Sequence, residues 1–283
     1  MTDLAVIMSV YQNDKFKFIK ESVQSILDQT FAQFHYYIIF DGPVAEDIDF
    51  YITGLKDDRI KLFRLEKNGG LATALNFLLK ILLMNPEYEI IARMDADDVS
   101  HALRFEKQRT FLIENKDIAC VGCWYEEIDE SGNHLTNRKL PIDHEALKKR
   151  YYTRTPFAHP SVMYRRQLIE KAGFYPIDTI LMEDKGLWGK ALKAGLKFAN
   201  IPEYLLKFRI DKGFYKRRSG LKYGWYYMMS TFKINKSLNA PVYSYLLSTM
   251  IGVVKMLPAF ILQYIYLTRR LDFTLKQRSE ANI

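Results

Sequence analysis

Residues 90–100 read IIARMDADDVS, an apolar run that passes through a single arginine into Asp95, Asp97 and Asp98. The segment YEIIARM (88–94) has the near-continuous hydrophobicity of a strand buried on both faces, and it delivers Asp95 at its C-terminal edge. In open α/β sheets that edge is where ligands bind. Two carboxylates one residue apart at a strand terminus suit a divalent cation, Mg²⁺ or Mn²⁺, which takes oxygen ligands and leaves open positions for water and a diphosphate. The same aspartates could serve as turn formers that bond their own backbone. The spacing does not extend to an EF-hand loop, because the glycine and the closing glutamate are missing.

Working outward, the first 120 residues alternate as a layered α/β sheet requires. LAVIMSV (4–10) reads as a strand, residues 15–29 set Phe18, Ile19, Val23, Ile26 and Leu27 at helical spacing, and HYYIIF (35–40) is a second strand ending at Asp41. A third strand is expected at 60–65, and GLATALNFLLKILL (70–83) is a strongly apolar helix opened by Gly69 and Gly70. Ser100 is an expected N-cap for a helix over 102–115. Beyond it the alternation is lost. A hairpin around DESGNH (129–134) and a loop TRTPFAHPSV (153–162) suggest an antiparallel extension that holds the second substrate.

The chain of 283 residues carries a net charge of +8 and is 48% hydrophobic, ample for a core. Much of the excess charge sits in KFRIDKGFYKRRSGLK (207–222), where seven cationic residues face one carboxylate, Asp211. Such a cluster suits a solvated face, nucleic acid or anionic headgroups. The two cysteines, Cys120 and Cys123, lack the partners of a zinc site and read as strand residues in a reducing compartment. No basic leader precedes the first apolar run, so a cytosolic chain is expected. Residues 240–268 contain one charge, Lys255, and are long enough to cross a bilayer at about 20 residues per span. A central lysine and Pro258 argue against a simple span and favour a helix or helix pair lying in the headgroup zone, flanked by the basic cluster and by Arg269 and Arg270. The competing reading is a core helix of the fold.

Several motifs in order resemble a family 2 glycosyltransferase of GT-A fold, over about residues 4–210. VIMSVYQ (6–12) is similar to the family's first strand, which places Ser9 and Tyr11 near the nucleotide. FDG (40–42) is similar to the end of its second strand, with Asp41 at the position that contacts the base and Phe40 where the family commonly has another acid. NGGLATALN (68–76) is similar to the element beside the nucleotide, which implicates Asn68 and Gly70, and ARMDADD (92–98) resembles the metal motif, with Asp95 and Asp97 as ligands. TPFAHPSVMYRR (155–166) and MEDKGLWGKALKAG (182–195) resemble the acceptor side, implying acceptor contacts at His159, Glu183 and Trp188 and a catalytic base at Asp184. Arg93 is read either as a nucleotide contact or as an ion-pair partner of Asp95 or Asp97.

The resemblance implies an α/β architecture: a Rossmann-like, mostly parallel sheet whose nucleotide-sugar half is about 1–100, with an acceptor half of about 101–210; beyond it, the charge and hydropathy of 211–283 predict a basic, apolar helical region that associates with membrane. The resemblance further implies a metal-dependent, inverting transfer of a hexose from a UDP-sugar in O-antigen or capsule assembly, and the basic, apolar tail predicts a lipid-linked saccharide acceptor at the cytoplasmic face of a bacterial inner membrane. A sugar nucleotidyltransferase would need a glycine-rich phosphate loop after the first strand, and SVYQNDKFKF has no glycine. A nucleic-acid-binding protein would need a basic groove where this chain is acidic, so no nucleic-acid partner is expected.

Overall fold

The computed structural model describes residues 2–179, 181–266 and 268. The first part of the chain runs β1 (Leu4–Val10), α1 (Phe16–Leu27), β2 (Phe34–Phe40), α2 (Glu46–Gly54), β3 (Ile60–Arg64), α3 (Leu71–Met84) and β4 (Ile90–Arg93). Next come β5 (Val99–Ser100), α4 (Arg104–Glu114), β6 (Ile118–Ile128), β7 (His134–Arg138), α5 (His144–Tyr151), a 3₁₀ turn at His159–Ser161, β8 (Met163–Arg165), α6 (Arg166–Ala172), α7 (Glu183–Lys193) and β9 (Lys197–Arg209). The chain closes with α8 (Phe214–Arg217), α9 (Leu221–Ser237), α10 (Tyr243–Met256) and a helix over Ala259–Tyr266.

A nine-stranded sheet has the order β3-β2-β1-β4-β8-β6-β9-β5, with β7 paired to β6. Pairings among β1 to β4 are parallel, and β8 joins antiparallel to both β4 and β6. The extension is not purely antiparallel: β6 and β9 run parallel over a long, bulged ladder. Helices cover both faces, which is why the inner strands are apolar throughout. Val6, Met8 and Ile38 pack towards α1 and α2, whereas Ile7, Ile39 and Ile91 pack under Leu75 and Leu79 of α3. Cys120 and Cys123 are free, fully buried and divided between those two core layers, so they cannot act as a redox pair.

One expectation changes, and two helices had no expectation of their own. Ser100 does not cap α4: its backbone pairs with Leu206 in the β5–β9 ladder, its N–H donates to Ser25 Oγ at 3.0 Å, and its hydroxyl accepts from Gln29 Nε2 at 3.1 Å. Helix α2, unforeseen, buries only Ile48 and Ile52, with Glu46, Asp47 and Asp49 in its first turn where the helix dipole favours acids. Helix α9 was hidden between the basic and apolar segments. Its Gly224 lies so close to α10 that a Cβ there would sit 2.6 Å from the Gly252 carbonyl oxygen, and Ser244, Ser248 and Gly252 form α10's buried face. Arg269 and Arg270 lie outside the described residues.

Candidate active site

The acidic loop after β4 is held from two sides. Ser22 Oγ in α1 donates to the Asp95 carbonyl at 2.7 Å. From β9, the Arg209 N–H donates to Asp98 Oδ1 at 2.7 Å, its Nε donates to the Asp97 carbonyl at 2.8 Å, and its guanidinium pairs with Glu21. Arg209 therefore belongs to this loop and not to a solvated basic face; its side chain is 1% exposed. One carboxylate oxygen from each of Asp95, Asp97 and Asp98 falls within 4.8 Å of the others. Burial, then the Asp95 charge, pushes the Asp97 carboxyl up to about 6, and burial raises Asp98 well above the usual carboxylate range. Asp98 Oδ2 is buried with no partner among the described residues. Crowded, desolvated carboxylates with an orphaned oxygen are what a hard divalent cation such as Mn²⁺ or Mg²⁺ relieves, so this donor set fits one.

The residues expected on the nucleotide side lie at the C-terminal ends of β1 and β2 and at the start of α3. Asp41 is buried, and its Oδ1 accepts from the Gly69 N–H at 2.7 Å while Asn68 Nδ2 donates to its carbonyl at 3.1 Å. Gly42, at φ +82°, lets these loops touch: a Cβ there would lie 2.5 Å from the Asn68 nitrogen. Gly70, at φ +85°, opens α3. Ser9 is half-buried near the end of β1, and the exposed Tyr11 follows it. Asp14, which the sequence reading passed over, accepts from the Tyr11 N–H at 2.9 Å, and burial pushes its carboxyl up to about 8, with Asp97 and Asp95 adding.

Arg93 links the two halves. Its side chain is 1% exposed and pairs with Asp95, and that carboxylate outweighs the burial that opposes its charge. Its Nε and Nη1 have no partner among the described residues. The same positive charge acts on His159 and Asp184. Burial, with Arg93 beside it, holds His159 well below the ordinary imidazole range, so the ring is neutral, and its Nε2 lies 3.0 Å from the Tyr175 hydroxyl.

Asp184 stands in the first turn of α7, where its Oδ1 accepts from the Lys185 N–H at 2.6 Å. Burial first, and then the neighbouring Glu183, push its carboxyl up to about 7 against the pull of Lys185 and Arg93. A carboxylate of that basicity at a half-buried site is suited to take a proton near neutral pH.

Trp188 corrects an expectation. It has no exposed surface and packs edge-on against Phe157, His159, Tyr164 and Phe198, so it supports the His159 turn from within the core and presents nothing to an acceptor. Other supports also went unforeseen. Arg104, fully buried, donates to the Pro160 carbonyl at 2.7 Å and the Arg93 carbonyl at 3.0 Å, tying the turn to β4. Asn76 bonds both ways with the Tyr175 backbone, at 2.8 and 2.9 Å. A polar residue inside the apolar run of α3 was the signal, since a buried amide must find partners.

Comparison with known proteins now fits this geometry. The structure superposes on the Pyrobaculum calidifontis mannosyltransferase PcManGT in complex with GDP-Man and Mn²⁺ with a TM-score of 0.63 at 15% identity, covering 95% of this chain and 80% of that one. It superposes on S. aureus TarS 1-349 in complex with UDP-GlcNAc with a TM-score of 0.61 at 17% identity, covering 83% and 70%. The fold is therefore GT-A, an α/β fold of glycosyltransferases. The profile described as Glycosyl transferase family 2 matches residues 5–173, and the chain belongs to that family. It is 31% identical over 265 residues to the Escherichia coli UDP-Gal:alpha-D-GlcNAc-diphosphoundecaprenol beta-1,3-galactosyltransferase, covering 93% of this chain and 94% of that protein. It is 36% identical over 213 residues to the E. coli O-antigen biosynthesis glycosyltransferase WbnJ, covering 73% and 79%.

Proposed function

We propose that this glycosyltransferase moves a hexose, whether galactose, glucose or an N-acetylhexosamine, from a UDP-sugar to a saccharide carried on a polyprenyl diphosphate. The reaction inverts the anomeric centre in one displacement and serves bacterial surface polysaccharide assembly, O-antigen or capsule. The observation that carries this reading is the pairing of two acidic centres of different character within reach of the Arg93 charge: the clustered loop of Asp95, Asp97 and Asp98, and Asp184. The E. coli relative named for UDP-Gal and a diphosphoundecaprenol acceptor, matched over nearly the whole of both chains, supports the choice of donor and acceptor class.

The division of labour follows from the two environments. Asp95 and Asp97, with the spare oxygen of Asp98, would hold a divalent cation, which when bound neutralises charge on the donor diphosphate. Asp41, Asn68 and Gly70 would line the nucleoside side, with Ser9 and Tyr11 at the mouth of β1. Asp184 would accept the proton of the attacking acceptor hydroxyl, and its raised basicity matches that task. His159, kept neutral, and Glu183 would orient the acceptor saccharide. The enzyme would work at the cytoplasmic face of the inner membrane, held peripherally through the tail. Among the described residues no single helix is long and apolar enough to cross a bilayer, and α10 and Ala259–Tyr266 meet at a 120° bend beside Pro258.

The test is a panel of UDP- and GDP-sugars offered with Mn²⁺ or Mg²⁺ and a water-soluble, short-alkyl diphospho-N-acetylglucosamine. The reading expects metal-dependent UDP release with formation of a disaccharide. Transfer from GDP-sugars alone, or full activity in excess chelator, would overturn the donor or metal assignment.

A further inference from the structure

Lys255 is the one charge in the apolar stretch 240–266, and the structure shows where it goes. Its ammonium does not turn outward: it lies 5.1 Å from the ring centre of Tyr223 and 4.9 Å from that of Tyr227, on the side of α10 facing α9. The Gly220 N–H donates to its carbonyl at 2.9 Å, which brings the end of α10 beside Arg218. Arg218 is half-buried over the Phe214 ring at 4.2 Å, and its Nη1 is buried with no partner among the described residues. Arg154, exposed in the loop after α5, follows Thr153, whose carbonyl accepts from the Tyr227 hydroxyl. Burial, then the charges of Arg218 and Arg154, brings the Lys255 ammonium down to about 8.

Among the described residues none of these three cations has a carboxylate within ion-pair distance. Like charges gathered in partly desolvated ground are unfavourable unless an anion joins them. The crevice adjoins the acceptor side of the site: the Tyr227 ring that Lys255 approaches also has the Lys185 ammonium 4.9 Å from its centre, and the Lys185 N–H donates to Asp184 Oδ1. Arg217, next in the chain, turns the other way, pairing with Asp211 at 2.8 Å and carrying its charge to Tyr11 and Asp97 on the donor side.

We propose that Arg154, Arg218 and Lys255 form a subsite for the diphosphate of the acceptor lipid, with Tyr223 and Tyr227 as its aromatic wall. This rests on Asp184 being the acceptor-side base. It explains why a lysine stands in the tail: the charge that opposes membrane insertion is turned inward to meet the phosphates, while α10's outer face stays apolar. Phospholipid headgroups share the same chemistry, so the test removes the membrane.

Acceptor kinetics are measured in detergent-free solution with the short-alkyl diphospho-N-acetylglucosamine and with the neutral short-alkyl N-acetylglucosaminide. The wild type is expected to favour the diphospho compound. Lys255→Met and Arg218→Gln should each raise its KM about tenfold or more with donor KM unchanged, and Lys255→Arg should recover most of the loss. Because Lys255 is a half-buried charge with no carboxylate partner among the described residues, Lys255→Met should melt no lower than the wild type, which a merely structural lysine would not allow. An unchanged diphospho-acceptor KM in both variants overturns the subsite even if binding to anionic vesicles falls, since the cations then serve headgroups. A raised donor KM overturns it in favour of the donor diphosphate. A wild type that glycosylates neither compound overturns the acceptor reading beneath it, and the subsite with it.

Discussion

At the scale of single residues, what a carboxylate does here is set by its surroundings. Asp184 must be ionised to accept a proton, and burial with Glu183 lifts its carboxyl to about 7. Turnover at saturating metal and donor should therefore rise through about pH 7 and level off above it, as kcat against pH will register; a flat profile from pH 5.5 to 8 would contradict the assignment. Asn76 has a structural task, holding the Tyr175 backbone that in turn holds His159. Asn76→Leu strands a buried N–H and C=O, so chemical denaturation should show a loss of about 1–3 kcal/mol, with acceptor KM raised more than donor KM. The acidic loop was legible in the sequence because a strand that is apolar on both faces and ends in aspartates has few other readings. Asp98's bond to Arg209 was not, because it joins residues that only the β9 ladder brings together, and Trp188 was misread because an aromatic one helical turn from an acidic pair looks the same whether it faces inward or outward.

At the scale of elements, β9 matters more than its place in the sheet suggests. It lies between β6 and β5, paired to both, and ends in Arg209, whose side chain and backbone fix the loop from Asp97 to Asp98. Arg209→Met keeps length and apolar contact with Phe18 but releases Glu21 and the Asp97 carbonyl. Calorimetric titration of UDP with Mn²⁺ should then show weakening of about tenfold, short of the complete loss of Mn²⁺ dependence expected of Asp97→Ala; wild-type affinity in Arg209→Met would make the clamp incidental. Strands β1, β2 and β4 and helices α1 and α3 were readable since each carries its own periodicity. Helix α2, two-residue β5 and α9 were not: two buried isoleucines, a pair of ladder residues and a buried stripe of Gly224, Tyr227, Thr231 and Asn235 leave no pattern strong enough to see.

For the molecule as a whole, the tail is both packed and exposed. Asn235 Nδ2 donates to the Tyr152 carbonyl at 3.0 Å and to Ser244 Oγ at 3.1 Å, so α9 and α10 are built onto the catalytic body. Leu246, Met250 and Val253 on α10 are more than half exposed. Removing α10 would uncover α9 and damage the fold, so membrane attachment is better tested on the surface: Leu246→Gln with Met250→Gln should lower co-sedimentation with anionic vesicles several-fold and leave transfer to the soluble acceptor intact. Equal sedimentation by both proteins would assign that face another role. Composition had flagged this segment and left its burial open, because apolar residues around a helix look alike whether they meet protein or lipid.

The most direct measurement is the steady-state transfer rate of Asp184→Asn at saturating UDP-sugar, Mn²⁺ and diphospho-acceptor at pH 8. The loss of a general base predicts a fall of about 10²- to 10⁴-fold with donor KM nearly unchanged. A rate close to that of the wild type would contradict it and leave the acceptor hydroxyl without its base.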